Sequence, residues 1–167
     1  DVKVPPFEAL KSGVDVNWAG ELTTPIKNQG YCGSCWAFSA REQIESDYIL
    51  ATGNTEVLAP QQITSCDKTS FGCNGGFTES AYNYVKNAGG IETDASYPYT
   101  SGTAGITGSC KSSSSKFVVG ITGYKTVSSS ARGESDMASY VASTGPLSVC
   151  VDAESWSSYT GLSLIHI

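Results

Sequence analysis

The chain has 167 residues, 40% hydrophobic and 16% charged, which suits one globular domain and leaves no apolar run long enough to cross a bilayer as a helix. Its formal net charge of -6 and pI near 4.6 exclude nucleic acid and anionic membrane surfaces as expected partners. Six cysteines at non-repeating spacings, with 18 glycines, point to an oxidising setting, lysosomal, vacuolar or secreted, rather than the cytosol. No initiator methionine and no charged-then-apolar leader open the sequence, so a targeting signal is expected upstream of Asp1.

After the lead VPPFEALKSG, the first strong periodicity follows Cys32 and Cys35. Ala40, Ile44, Tyr48 and Ala51 recur at helical spacing and Gly53-Asn54 ends the run, which predicts a helix starting at or near Cys35. A second helix is expected in TESAYNYVKNAGG, with Thr78 as N-cap, Ala81, Val85 and Ala88 on one face and Gly89-Gly90 as the stop. From Ser96 to Ser115 the chain is rich in Gly, Ser and Thr and reads as a loop that Cys110 could tether. Beyond it, KFVVGITGYKTV and LSVCVDA are rich in β-branched residues and read as strands, separated by a short helix from about Asp136 to Ser143 that Gly145-Pro146 terminates. Helices first and strands later give an α+β class with a helical half and a sheet half. There is no internal repeat.

The stretch NQGYCGSCWAFSA, Asn28 to Ala40, is where chemistry concentrates. Any cysteine in an oxidised chain is by default half of a disulfide. A redox CxxC belongs in a βαβ pattern, and no strong parallel strand precedes Tyr31. Zinc needs a second ligand cluster, and Cys66 with Cys73 is too widely spaced for a zinc knuckle and brings no histidine. The remaining reading is a nucleophile, since Cys32-Gly33-Ser34-Cys35-Trp36 satisfies every place of the signature C-G-[SA]-C-[WY].

With that signature the chain resembles papain-family cysteine proteases over nearly all of its length. DVNWAGELTTPIKNQG is similar to the family's mature amino terminus, SCDKTSFGCNGGFT to its Cys-x6-Cys-Asn-Gly-Gly segment, and YPY and GPLSVCVDA are also familiar from it. The resemblance implies a papain-like two-half fold, a helical half plus a β-sheet half with the sheet half truncated here. It also implies hydrolysis of internal peptide bonds through an acyl-enzyme thioester, with no cofactor. Cys35 is then the nucleophile, and its place at a helix N-terminus favours the thiolate that the chemistry needs. The oxyanion of the tetrahedral intermediate is expected to meet the side-chain amide of Gln29 and the backbone N–H of Cys35.

The same resemblance pairs Cys32 with Cys73 and Cys66 with Cys110, leaving Cys35 and Cys150 free. Cys150 then falls at the wall of the substrate's P2 pocket as a buried, reduced small hydrophobe. Gly75 and Gly76 fit the backbone that an extended peptide pairs with, Phe77 offers an apolar P2 wall, and Thr78 stands beside it where the family often has proline. Trp36 adjoins this substrate-binding group and reads as packing more than catalysis. Expected partners are polypeptide substrates, a cognate propeptide and cystatin-like inhibitors.

His166, the sole histidine, lies within the 130–150 residues that separate the family's nucleophile and base, but its context does not match. The family places Asp or Asn directly before that histidine and Ala or Gly after it, whereas Ile165 and Ile167 flank His166. The tail LSLIHI, residues 162–167, is one reading frame of a transposase adapter used in sequencing libraries and is expected to be read-through. Residues 1–12 are accordingly expected to be a propeptide tail, 13–161 an incomplete peptidase domain, and the catalytic histidine and asparagine to lie beyond this chain, leaving the fragment itself inactive. The alternative is a non-catalytic papain-fold homologue that binds or inhibits; such a protein would be free to lose Cys35 and Gln29.

Overall fold

A computed structural model describes residues 16–130 and 132–151. Helix α1, Cys35–Thr52, runs through the centre. It ends where Gly53 takes the left-handed conformation, φ 74°, and donates its N–H to Ile49 O, a stop that only glycine adopts without strain. Helix α2, Pro60–Cys66, starts with proline at its first turn, where no N–H is missed, and all seven of its residues are buried. Helix α3, Thr78–Ala88, carries Glu79 in its first turn and Lys86 in its last, each on the side its dipole favours. A short helix α4, Ser101–Ala104, a 3₁₀ turn, Ser114–Lys116, and helix α5, Glu134–Ser143, complete the order.

Helix α1 packs against α2 and α3, which also touch each other. The core between them joins Trp36, Ala37, Ala40 and Ile44 of α1 to Ile63 of α2 and to Ala81, Tyr82 and Val85 of α3, closed by Leu58, Ile91 and Val119. Small residues at 37, 40 and 81, all fully buried, let the backbones approach while the larger side chains fill the gaps. Two disulfides staple the periphery, Cys32–Cys73 and Cys66–Cys110, spanning 41 and 44 residues. The second holds the Gly/Ser-rich segment onto the end of α2, the tether expected of Cys110.

Three expectations need correction. Thr78 is the first helical residue and not the N-cap: Phe77 holds the cap position with extended backbone, and the Thr78 hydroxyl donates to the Glu79 carboxylate at 3.2 Å. Helix α5 begins at Glu134, two residues earlier than expected, with Gly133 as its cap. The two β-branched segments form no strand ladder among the described residues. Propensity makes a strand only where a partner edge exists, and the one bridge KFVVGITGYKTV forms among the described residues is to Ile91, which donates its N–H to Val119 O at 2.8 Å and accepts from Val118 N at 2.9 Å. The described part of LSVCVDA is held by α1 side chains instead. Gln43 accepts from Ser148 N at 2.7 Å and donates to Pro146 O at 3.1 Å, and the hydroxyls of Ser39 and Ser148 bond at 2.6 Å. Residues 152 and 153 lie outside the described residues.

A buried ion pair underlies α1. Arg41 and Glu45, each 1% exposed, meet at 2.5 Å, and Glu45 also accepts from Leu58 N at 2.7 Å and from the Thr24 hydroxyl. The guanidinium lies 5.1 Å from the centre of the Phe38 ring. Removing one partner strands the other charge in the interior, so Glu45→Ala is expected to cost about 3–5 kcal/mol in urea denaturation. A second expectation concerns alkaline pH. Burial pushes the Tyr82 phenol up to about 12 from an ordinary 10.0, so between these values the native state keeps a proton that the unfolded chain has lost. Stability therefore falls as pH rises from about 10 to about 12, and Tyr82→Phe is expected to flatten that part of the denaturation-midpoint profile.

Candidate active site

The two cysteines of the CxxC stretch are separated in role by geometry. Cys32 is 1% exposed and bonded to Cys73, whereas Cys35 is unbridged, exposed and the first residue of α1. Neither a Cys32–Cys35 redox disulfide nor a zinc half-site is formed. As an opening residue of a helix, Cys35 carries one of the backbone N–H groups that have no intrahelical acceptor.

Beside the disulfide, Gly33 donates its N–H to Cys73 O at 2.9 Å, and Gly33 and Asn74 form a parallel bridge. A Cβ at Gly33 would stand 2.5 Å from that carbonyl oxygen, so only glycine permits the approach. Ser34, fully buried, accepts through its carbonyl from Ala37 N and Phe38 N at 2.9 and 3.1 Å. Its hydroxyl makes no capping bond; it pairs with Tyr99 Oη at 2.7 Å and lies 3.5 Å from Cys32 O.

Gln29 approaches from the preceding loop. Its amide Nε2 donates to Cys32 O at 3.0 Å, which uses one of two amide hydrogens. Its backbone carbonyl accepts from Tyr99 Oη at 2.9 Å. Gly30 is left-handed, φ 61°, and a side chain there would run into the backbone of Gly102, while Tyr31 N donates to Gly102 O at 2.8 Å. The loop is thereby seated on α4. Burial raises the Tyr99 phenol above its ordinary range, and the Ser34 hydrogen bond opposes that rise.

On the other side of Cys32–Cys73, Gly75 adopts φ 111° and its carbonyl accepts from Phe71 N at 2.9 Å. Gly76 lies on the face of Trp36: a Cβ there would be 2.5 Å from the indole and 2.7 Å from Ser70 Cβ. Trp36 is 3% exposed and donates its ring N–H to Gly72 O at 3.1 Å, so it is the floor under Gly76 and does not itself line the surface. Phe77 is 65% exposed, with Thr78 partly exposed next to it.

Cys150 departs from expectation. It is free but exposed, as are Val149 and Val151, because no described side chain packs over this segment. His166 lies outside the described residues. Among the described residues no cluster of three or more His, Cys, Asp or Glu side chains is placed to hold a metal ion. A cavity of about 520 Å³ lies between Trp18, Met137, Val141 and Leu147, and another of about 350 Å³ beside Lys27, Glu42 and Gln43; Cys35, Gln29 and Gly76 line neither. Tyr99, which touches both the Gln29 loop and the start of α1, ends the YPY stretch that contributes to the resemblance, but nothing in its spacing assigned it to the site.

Comparison with known proteins decides the family. A model described as "Papain family cysteine protease" matches residues 10–163. The chain belongs to the papain family. Cysteine proteinase 1 of Dictyostelium discoideum is 36% identical over 148 residues, covering 83% of this chain and 41% of that protein. Digestive procathepsin L 3 from the larval midgut of Tenebrio molitor superposes with TM-score 0.68 at 28% identity, over 84% of this chain and 45% of that one. The bromelain protease of Ananas comosus, solved in complex with the E64 inhibitor, gives TM-score 0.50 at 38% identity over 54% of this chain and 40% of that one. The fold is thus the papain-like α+β fold, helix-rich over the described residues, and the chain spans less than half the length of these relatives.

In this papain-family chain the contact of Gly76 with Trp36 can be probed directly. Gly76→Ala forces a methyl group into the indole and is expected to cost about 1–3 kcal/mol of stability, measured by thermal unfolding alongside a shift in tryptophan fluorescence.

Proposed function

We propose that the protein is a cysteine endopeptidase in which Cys35 Sγ attacks the carbonyl carbon of a peptide bond. The observation that carries this reading is the division of labour at the CxxC stretch: Cys32 is locked to Cys73, and Cys35 is left free, exposed and first in α1. In the reading, a sulfur–carbon bond forms as the carbonyl becomes an oxyanion, which meets the second amide hydrogen of Gln29 and the N–H of Cys35. Collapse breaks the carbon–nitrogen bond. The amine leaves with a proton from a general acid, and water then hydrolyses the thioester. The acid and base is assigned to a histidine encoded after Gly161 other than His166, whose flanking isoleucines do not suit the role.

The substrate is read as an extended peptide running along Gly75 and Gly76, with Phe77 and Thr78 on its P2 side. The N–H and C=O of Gly76 have no partner among the described residues, which suits pairing with an added strand. Residues 1–12 are assigned to a propeptide tail, 13–161 to the peptidase domain and 162–167 to adapter read-through. Two disulfides and the digestive and cathepsin relatives support a lysosomal, vacuolar or secreted setting. A cognate propeptide and cystatin-like inhibitors are the proposed protein partners, in keeping with the procathepsin and inhibitor-bound relatives.

The test is covalent labelling of the protein expressed from the complete transcript, using an epoxide directed at active-site thiols, together with cleavage of a fluorogenic peptide amide. Both are expected, and Cys35→Ala is expected to abolish both; peptide binding with neither labelling nor cleavage would sink the proposal in favour of a non-catalytic homologue.

A further inference from the structure

Tyr99 donates its single phenolic proton to Gln29 O at 2.9 Å, so in its bond to Ser34 it must be the acceptor and the Ser34 hydroxyl the donor, at 2.7 Å. The Ser34 hydroxyl also lies 3.5 Å from Cys32 O, at the limit of hydrogen-bond reach, so its one proton is placed on the shorter bond to Tyr99. One oxygen atom thereby joins two backbone positions that matter to the proposed chemistry: residue 29, whose side chain supplies one oxyanion donor, and residue 34, whose peptide carries the N–H of Cys35.

We propose that Tyr99 is a positioning residue that sets the distance between the two oxyanion donors; this rests on the endopeptidase reading above. Ser34 occupies the N-cap of α1, where a serine hydroxyl ordinarily bonds a helix N–H, yet it makes no such bond and turns to Tyr99. The helix thus forgoes a cap that would stabilise it in favour of a bond to a residue 65 positions away. Tyr99 is itself held from two sides. Its ring meets Phe38 of α1 edge-on with centroids 5.0 Å apart, and the following residues are clamped by buried Gln61, whose Oε1 accepts from Thr100 N and Ser101 N at 2.7 and 2.9 Å. Gln61 Nε2 also donates to Ser101 Oγ at 2.7 Å. The hydroxyl is therefore a fixed point tied to α2, against which both the Gln29 loop and the first turn of α1 are registered.

Loss of the hydroxyl leaves the ring packing in place but frees residue 29 to drift relative to residue 35. A misplacement of about 1 Å in such a site can lower turnover by about 10²-fold. In the full-length protein, Tyr99→Phe is expected to lower kcat for a peptide amide by about 10-fold or more with KM little changed. Alkylation of Cys35 by iodoacetamide, which develops no oxyanion, is expected to keep its rate. In a Gln29→Ala background, where one donor is already gone, Tyr99→Phe is expected to add much less than it does alone, and Ser34→Ala is expected to follow the same pattern. Equal kcat for wild type and Tyr99→Phe, a parallel loss of alkylation rate, or full additivity with Gln29→Ala would overturn the inference. Absence of amide cleavage by the wild-type protein would instead overturn the endopeptidase reading itself.

Discussion

The Cys32–Cys73 bridge, with the Gly33 N–H to Cys73 O bond beside it, is the constraint on which the site depends. It joins the start of α1 to the segment that leads into Gly75 and Gly76, two pieces of chain 41 residues apart. Because Gly33 lacks a side chain, the two backbones come close enough to bridge, and α1 begins two residues on with Cys35 exposed. The same link brings Gly76 down onto Trp36, which the core holds rigidly. A thiol, a helix terminus and the unpaired backbone of Gly76 are thus joined through one covalent tie and two glycines.

Around this tie the polar interior is unusually important. Helix α2 is wholly buried yet mostly polar, and Gln61 and Gln62 use their amides to hold neighbouring chain. Gln62 accepts from Glu92 N at 2.8 Å and donates to Gly90 O at 3.1 Å, while Gln61 fixes the segment from Thr100 to Thr107. Such groups stabilise only when their partners are in place. Segments with little regular structure of their own are thereby ordered by side chains from helices, which links the packing of α2 to the seating of the Gln29 loop on α4.

Much of this was legible in the sequence where one residue type has one physical use. The run from Ala40 to Ala51 with Gly53-Asn54 behind it marks α1, and the glycines at 89 and 90 mark the end of α3, because apolar period and left-handed stops are local properties. Helix α2 was not legible, since Gln61, Gln62, Thr64 and Ser65 are polar residues facing inward and period analysis reads them as surface; Pro60 was the one local signal. The strands expected after Lys116 fail for the opposite reason. Val118, Val119 and Ile121 favour a strand, but pairing is supplied by other chain, and only Ile91 is there to pair. The burial expected of Cys150 fails likewise, because burial depends on what packs over a segment. At the site, Cys35, Gln29 and the bridging cysteines stand in motifs that suggest their roles, while Tyr99 stands in the recognisable YPY stretch but its contact with the site comes from the fold.

In the proposed reaction, the tie at Cys32–Cys73 presents Cys35 together with two donors, the Gln29 amide and the Cys35 N–H, for one developing negative charge. The most direct measurement is a crystal structure of the full-length protein treated with a peptide aldehyde, whose carbonyl adds the Cys35 thiol to give a hemithioacetal. The hemithioacetal oxygen is expected within about 2.7–3.1 Å of both Gln29 Nε2 and the Cys35 backbone nitrogen. An adduct whose oxygen faces solvent away from both donors, or an aldehyde captured elsewhere with Cys35 unmodified, would contradict it.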